Sequence, residues 1–129
     1  MTRISIASPN SPVNALPFSP GVRVGQVLAI AGQAGLDPAT GEIVPGGLEA
    51  EVVQTFHNIE AVLGAQAASL DDVVRVDVYL TDPADFGPMN AIYAKTFSSP
   101  PPARTTVFVG LVPPLKVEIT VLAVLPQDA

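Results

Sequence analysis

Within residues 100–125, PPPARTTVFVGLVPPLKVEITVLAVL, two charged side chains stand where buried strands normally carry apolar ones. Arg104 heads one run and Glu118 lies inside the next. The chemistry open to these two groups is specific. A guanidinium presents a planar fork of donors that matches a carboxylate. A glutamate can orient a water and accept its proton. The chain has no cysteine, so thiolate nucleophiles, disulfides and cysteine-ligated metals are excluded. His57 is the one histidine. It has no obvious partner at ligand spacing and reads as a solvated helix residue; no metal and no cofactor is expected.

The alternation around these residues defines strands. Val117, Ile119, Val121, Ala123 and Leu125 fall on one face, and Lys116, Glu118, Thr120, Leu122 and Val124 on the other. The second face begins polar and turns apolar, which puts Glu118 near the boundary between solvent and a covered surface. In the preceding run Arg104, Thr106 and Phe108 share a face. With Val112-Pro113-Pro114-Leu115 as the turn, the two runs are expected to pair as an antiparallel hairpin. Arg104 would then lie towards the far end of the second strand and Glu118 near the turn. No direct bridge between them is expected within one chain, and a site using both must be wide or shared between chains. An alternative stays open: Arg104 as an interface arginine with Glu118 as its cross-chain partner, because arginine is common at interfaces and ion-pair networks also gather charge.

The elements that must position this pair follow in chain order. Ile4 and Ile6 suit a short edge strand, after which Pro9, Pro12, Pro17 and Pro20 oppose regular structure. Val22 to Ala31 reads as two strand pieces around Gly25-Gln26. The following Gly32-Gln33-Ala34-Gly35 carries two glycines near a strand end, a sign either of close backbone approach or of a loop needing positive φ. Asp37-Pro38-Ala39-Thr40-Gly41 is a turn on chemical grounds. A helix is expected from Leu48 to Ala68, with Val52, Val53, Phe56, Ile59, Val62 and Leu63 as its apolar stripe. In the strand Val73 to Leu80, Val74, Val76, Val78 and Leu80 face one way, and Val73, Arg75, Asp77 and Tyr79 the other. Arg75 and Asp77 read as a rim pair of little energetic weight. Asp82-Pro83 opens a second helix, to about Phe97, whose packing face is Phe86, Met89, Asn90, Tyr93 and Phe97. Asn90 is its polar exception: either a core amide bonded to backbone or the lining of a cleft.

This order predicts a single α+β domain over residues 1–129, one mixed sheet with two helices on one face. The 129 residues can bury a core. An apolar fraction of 48% and a mean hydropathy of +0.42, with only 14% charged residues, point to a further covered surface, most simply a subunit interface. No apolar run approaches the roughly 20 residues of a spanning helix, and no secretory signal is visible. A cytoplasmic setting fits the absence of cysteine. The formal net charge is -6 and the six basic residues are scattered, so no nucleic-acid partner is expected.

The stretches GQAGLDPATGEIVPGG, SLDDVVRVDVYLTDPADFGPMNAIYAKTF and PPPARTTVFVGLVPPLKVEITVLAV resemble the RidA/YjgF family of small enamine/imine deaminases, over about Leu16 to Val124. The resemblance implies a fold similar to chorismate mutase and a homotrimer around a central β-barrel, with pockets between subunits. It places Arg104 at the arginine that grips a substrate carboxylate and Glu118 at the water-orienting glutamate. Asn90 matches an asparagine near the pocket, and Gly32 the glycine of the SGQ-type loop. Three positions depart: Phe18 stands where the family often has tyrosine, Ala31 where it often has serine, and Thr106 where it often has cysteine. The first two remove hydroxyls and predict a drier substrate pocket. The implied reaction is hydrolysis of α-imino acids, such as those arising from 2-aminoacrylate, to keto acids and ammonia. A trimer that binds small ligands or protects proteins without catalysis is the alternative. A nuclease activity, also attached to relatives, is opposed by the acidic charge.

Overall fold

The computed structural model describes residues 1–8 and 16–126; Pro9 and Pro12 lie outside the described residues. One six-stranded mixed sheet runs in the order β1-β2-β3-β6-β4-β5. Its strands are β1 Ile4–Ile6, β2 Gly21–Val24, β3 Val27–Gln33, β4 Val73–Leu80, β5 Ala103–Phe108 and β6 Val117–Val124. Two helices, α1 Gly47–Gly64 and α2 Phe86–Thr96, pack on one face of it.

Local sequence explains most of these elements. Gly25, at φ 58°, supplies the left-handed backbone that closes the β2–β3 hairpin between Val24 and Val27. The Asp37 carboxylate accepts from the Ala39 N–H at 2.8 Å, which makes the expected turn. Asp82 caps a short 3-10 turn, Pro83–Asp85, that leads into α2. The alternating apolar set of β6 is buried throughout, from Val117 to Ala123, with Leu125 beyond it. Together with Leu28, Ile30, Val76, Val78 and Leu80 it forms the sheet side of the core, and α1 supplies Val52, Phe56, Ile59, Val62 and Leu63. Burying a side chain of this kind contributes about 1.5–3 kcal/mol. The other sheet face is open and carries exposed Val27, Val107 and Val124.

Four sequence expectations change. The last two strands do not form a hairpin: β4 lies between them, parallel to β5 and antiparallel to β6. The α2 segment is the crossover that joins β4 to β5, and strands joined by such a crossover run parallel. That leaves the other edge of β4 to β6, which is then bonded on both sides, to β3 and β4. Second, the β4–β6 register shifts between Val73 and Arg75, so Val73 turns to the core and Val74 is exposed. Third, Val53 is exposed, and Glu51 and Thr55 take its expected place on the buried face of α1. Fourth, α1 ends at Gly64 rather than Ala68, because the Ala68 N–H turns back to the Leu63 carbonyl and Ala67 adopts φ 54°. The Arg75–Asp77 pair is present at 3.2 Å with Arg75 exposed, as a rim pair should be. Among the described residues no helix is long and apolar enough to cross a membrane.

Candidate active site

Glu118 sits on β6 where three features fix the strand. The buried Glu51 carboxylate, reaching from α1, accepts the Lys116 N–H at 3.0 Å. The Lys116 carbonyl accepts from the Thr81 N–H at 3.3 Å. On the other side, β3 bulges opposite Thr120, with Ala31 and Gly32 between the paired Ile30 and Gln33. Bulges of this kind re-aim side chains and recur beside active sites. The Glu118 carboxylate lies directly on the bulge: a β-carbon added to Gly32 would stand 2.8 Å from its carboxyl carbon. At Gly35 an added β-carbon would stand 2.6 Å from the Cα of Glu51. The two closely spaced glycines thus have separate tasks, one making room for Glu118 and the other for α1.

Glu118, Gly32 and the half-exposed Phe18 line one cavity of about 490 Å³. His57, exposed on α1, lines the same cavity, a position its solvated-helix reading gave no reason to expect. Glu118 has no hydrogen bond or ion pair among the described residues. A carboxylate without a protein partner, at the edge of an apolar cleft, is placed to hold a water or a substrate proton.

Arg104 stands elsewhere, on the edge strand β5 facing α2. Its guanidinium lies 4.6 Å from the ring centroid of Tyr93 and 5.7 Å from that of Phe86. These rings are about two turns apart on one face of α2, with Asn90 one turn from each on the same face. Tyr93 is itself held by Phe97 at 4.9 Å and Phe56 at 6.0 Å. Arg104 makes no ion pair or hydrogen bond among the described residues. An aromatic cradle holds a guanidinium through its charge and stacking, and leaves its in-plane donors unspent. Beside it, the Asn90 Oδ1, the Tyr93 hydroxyl and the Thr106 Oγ1 are buried without a hydrogen-bond partner among the described residues. Such orphaned polar atoms are rare in a folded core and call for an explanation. Burial pushes the Tyr93 hydroxyl's pKa above its usual value, and the nearby Arg104 offsets only part of that shift.

The seven residues singled out from sequence therefore fall into two groups. Phe18, Gly32 and Glu118 share the cavity, with the half-buried Ala31 in the adjoining bulge. Arg104, Thr106 and Asn90 belong to the cradle. Strand register makes the separation definite. Arg104 pairs with Val76 and Glu118 with Tyr79, and these two β4 positions point to opposite faces of the sheet. Sequence reasoning missed the part played by Phe86 and Tyr93, which it placed on a packing stripe. The signal available was an unpaired arginine at a strand head following an aromatic-rich helix.

A profile described as Endoribonuclease L-PSP matches residues 8–125. A crystal structure of RidA from the Antarctic bacterium Psychrobacter superposes with a TM-score of 0.87 at 36% identity, covering 95% of this chain and 99% of that one. The chain belongs to the RidA/YjgF family. Among its RidA/YjgF relatives, the YjgF gene product of E. coli superposes with a TM-score of 0.86 at 32% identity, over 94% of this chain and 98% of that one. A RutC family protein of Saccharolobus solfataricus is 46% identical over 108 residues, 83% of this chain and 86% of its own length. A Mus musculus protein named 2-iminobutanoate/2-iminopropanoate deaminase is 38% identical over 120 residues, 92% of this chain and 89% of its own length.

Proposed function

We propose that this RidA/YjgF protein hydrolyses α-imino acids to α-keto acids and ammonia, in pockets that join the Arg104 cradle of one copy to the Glu118 cavity of the next. The observation that carries the reading is the state of Arg104: cradled by two rings, beside three orphaned polar atoms, with its donors uncommitted. A buried-edge cation arranged in this way suits a carboxylate ligand. The deaminase name of the Mus musculus relative supports the same substrate class. The opposed faces of the two groups support a site shared between copies, and the open apolar sheet face supports a homotrimer.

In the proposed reaction Arg104 holds the substrate carboxylate as a bidentate pair. Glu118 orients a water whose oxygen attacks the imine carbon, and accepts its proton. The C=N π electrons move to nitrogen, which takes up the proton held by Glu118 to give the tetrahedral carbinolamine. Glu118 then accepts the hydroxyl proton of this adduct and passes it to nitrogen, and ammonia leaves as the C–N bond breaks and the carbonyl forms. Free imines hydrolyse in water unaided, so the protein needs to supply only a modest acceleration, by positioning one water and one proton acceptor. Enamines released by pyridoxal-phosphate enzymes are the natural source of such imines, which fits a cytoplasmic setting.

The test is Arg104→Ala, assayed with imines made by an amino-acid oxidase and trapped by semicarbazide. Loss of imine hydrolysis with the oligomer intact supports the assignment. Retained activity, or dissociation of the oligomer, overturns it. A non-catalytic ligand-binding trimer is the second reading, favoured by the absence of a hydroxyl at Phe18 and Ala31. It predicts that the unmodified protein leaves imine lifetime unchanged. The nuclease activity in the family's description finds little support in a net charge of -6 with six scattered basic residues.

A further inference from the structure

The cavity that carries Glu118 is much larger than the smallest imino acids require. Its volume, about 490 Å³, falls within the roughly 300–1,000 Å³ of clefts that take drug-sized ligands. A three-carbon imino acid would leave most of it to water. The walls beyond Glu118 are apolar: Leu16, Phe18, Leu36, Ala61, Val112 and Leu115.

The polar side chains of the lining are mostly spent on their own chain. The Gln33 amide donates to the Ala31 carbonyl at 3.2 Å. The Gln54 amide donates to Asn58 Oδ1 at 2.9 Å. The Asn58 amide donates to the carbonyls of Ala34 and Leu36, each at 2.9 Å. Two side chains of the lining, Glu118 and His57, have no hydrogen bond among the described residues. With the Gln33, Gln54 and Asn58 amides bonded within the chain, and Glu118 and His57 as the free polar side chains among an otherwise largely apolar lining, the cleft offers a small polar substrate few contacts. It offers a large apolar side chain considerable buried area.

Resting on the imine-hydrolase reading above, we infer that the preferred substrates are α-imino acids with bulky apolar side chains, branched aliphatic or aromatic, and that this cavity houses the side chain. The reacting carbon lies at the Glu118 end. The helix face formed by Gln54, His57, Asn58 and Ala61 covers the side chain. The absence of a hydroxyl at Phe18, on the same lining, belongs to the same preference.

The experiment compares kcat/KM for imines generated from alanine, leucine and phenylalanine, with semicarbazide trapping as the readout. The leucine and phenylalanine imines are expected to exceed the alanine imine by roughly 10-fold or more, the scale on which apolar pockets discriminate side-chain size. Ala61→Phe, at an exposed helix position, should push this ratio towards one by filling the cavity. An alanine imine processed as well as the larger ones overturns the inference and leaves the hydrolase reading standing. If no imine is accelerated, the hydrolase reading fails, and binding of the keto acids decides the pocket. Tighter binding of 4-methyl-2-oxopentanoate than of pyruvate, by roughly 10-fold, keeps the side-chain assignment. Equal binding, or none, overturns it, as it would if a neighbouring copy filled the cleft.

Discussion

The two ends of the candidate site solve opposite problems. Around Glu118 the chain is closed on itself: Glu51 fixes the start of β6, Gly32 receives the carboxylate, and the polar walls of the cavity bond to their own backbone. Around Arg104 the chain is left open, with a cation on an edge strand and three buried polar atoms that have no hydrogen-bond partner among the described residues. The closed end is concave and apolar. The open end is charged and lies on the opposite sheet face. In the function proposed above, the half that one copy leaves unfinished is supplied by another copy.

Breaking the closed end has the largest expected effect. Glu118→Gln keeps the shape and removes the proton acceptor, and should lower kcat by about 10²–10⁴, measured with the preferred imine. A variant of near-normal kcat would remove Glu118 from the chemistry. The glycine pair separates geometry from stability. Gly32→Ala should fold normally, because the flexible end of Glu118 can move aside, yet lose roughly 10²-fold in activity as the carboxylate is displaced. Gly35→Ala meets the Glu51 backbone instead, and should destabilise by about 1–3 kcal/mol in denaturant unfolding. If the two variants behave alike, the division of tasks between the glycines is mistaken.

Much of this was legible in the sequence. The alternation of β6 and the core side of β4 identified buried faces, and the Gly32–Gly35 spacing left two readings, close approach or a positive-φ loop, of which the structure shows the first. The pairing of β5 was not legible, because Pro113-Pro114 resembles a turn while the partner of β5 is chosen by the α2 crossover. Val73 was misplaced because a one-residue register shift inverts a face and leaves no local mark. Glu51 is a charged residue in the core. Composition argues against such burial, and the Lys116 N–H at the start of β6, which donates to the Glu51 carboxylate, explains it.

Smaller effects sharpen the contrast. Glu51→Ala leaves the Lys116 N–H unpartnered and should cost about 1–3 kcal/mol of stability, whereas Glu51→Gln keeps the acceptor and most of that stability. Equal losses would show that the carboxylate charge, not the hydrogen bond, matters. At the open end, Tyr93→Leu should raise KM more than it lowers kcat, and Tyr93→Phe should restore KM because it keeps the ring under Arg104. The direction of the Tyr93 shift supplies the weakest test. Its pKa is raised in the fold, so the phenol stays protonated to higher pH than in the unfolded chain. Any stability it contributes is present below the unfolded pKa and is lost as pH rises through the folded one. A tyrosinate absorbance titration should show a late component that disappears in Tyr93→Phe; an unchanged titration would contradict the burial assigned to the hydroxyl.

The central claim is that Arg104 and Glu118 act together from different copies of the chain. Its most direct test is to co-refold Arg104→Ala with Glu118→Gln, each with little or no activity alone, and to measure imine hydrolysis by the mixture. If each site takes its arginine from one copy and its glutamate from another, random assembly in a closed ring restores about a quarter of wild-type activity. A mixture no more active than the sum of the two separate variants would show that the two residues do not meet across copies.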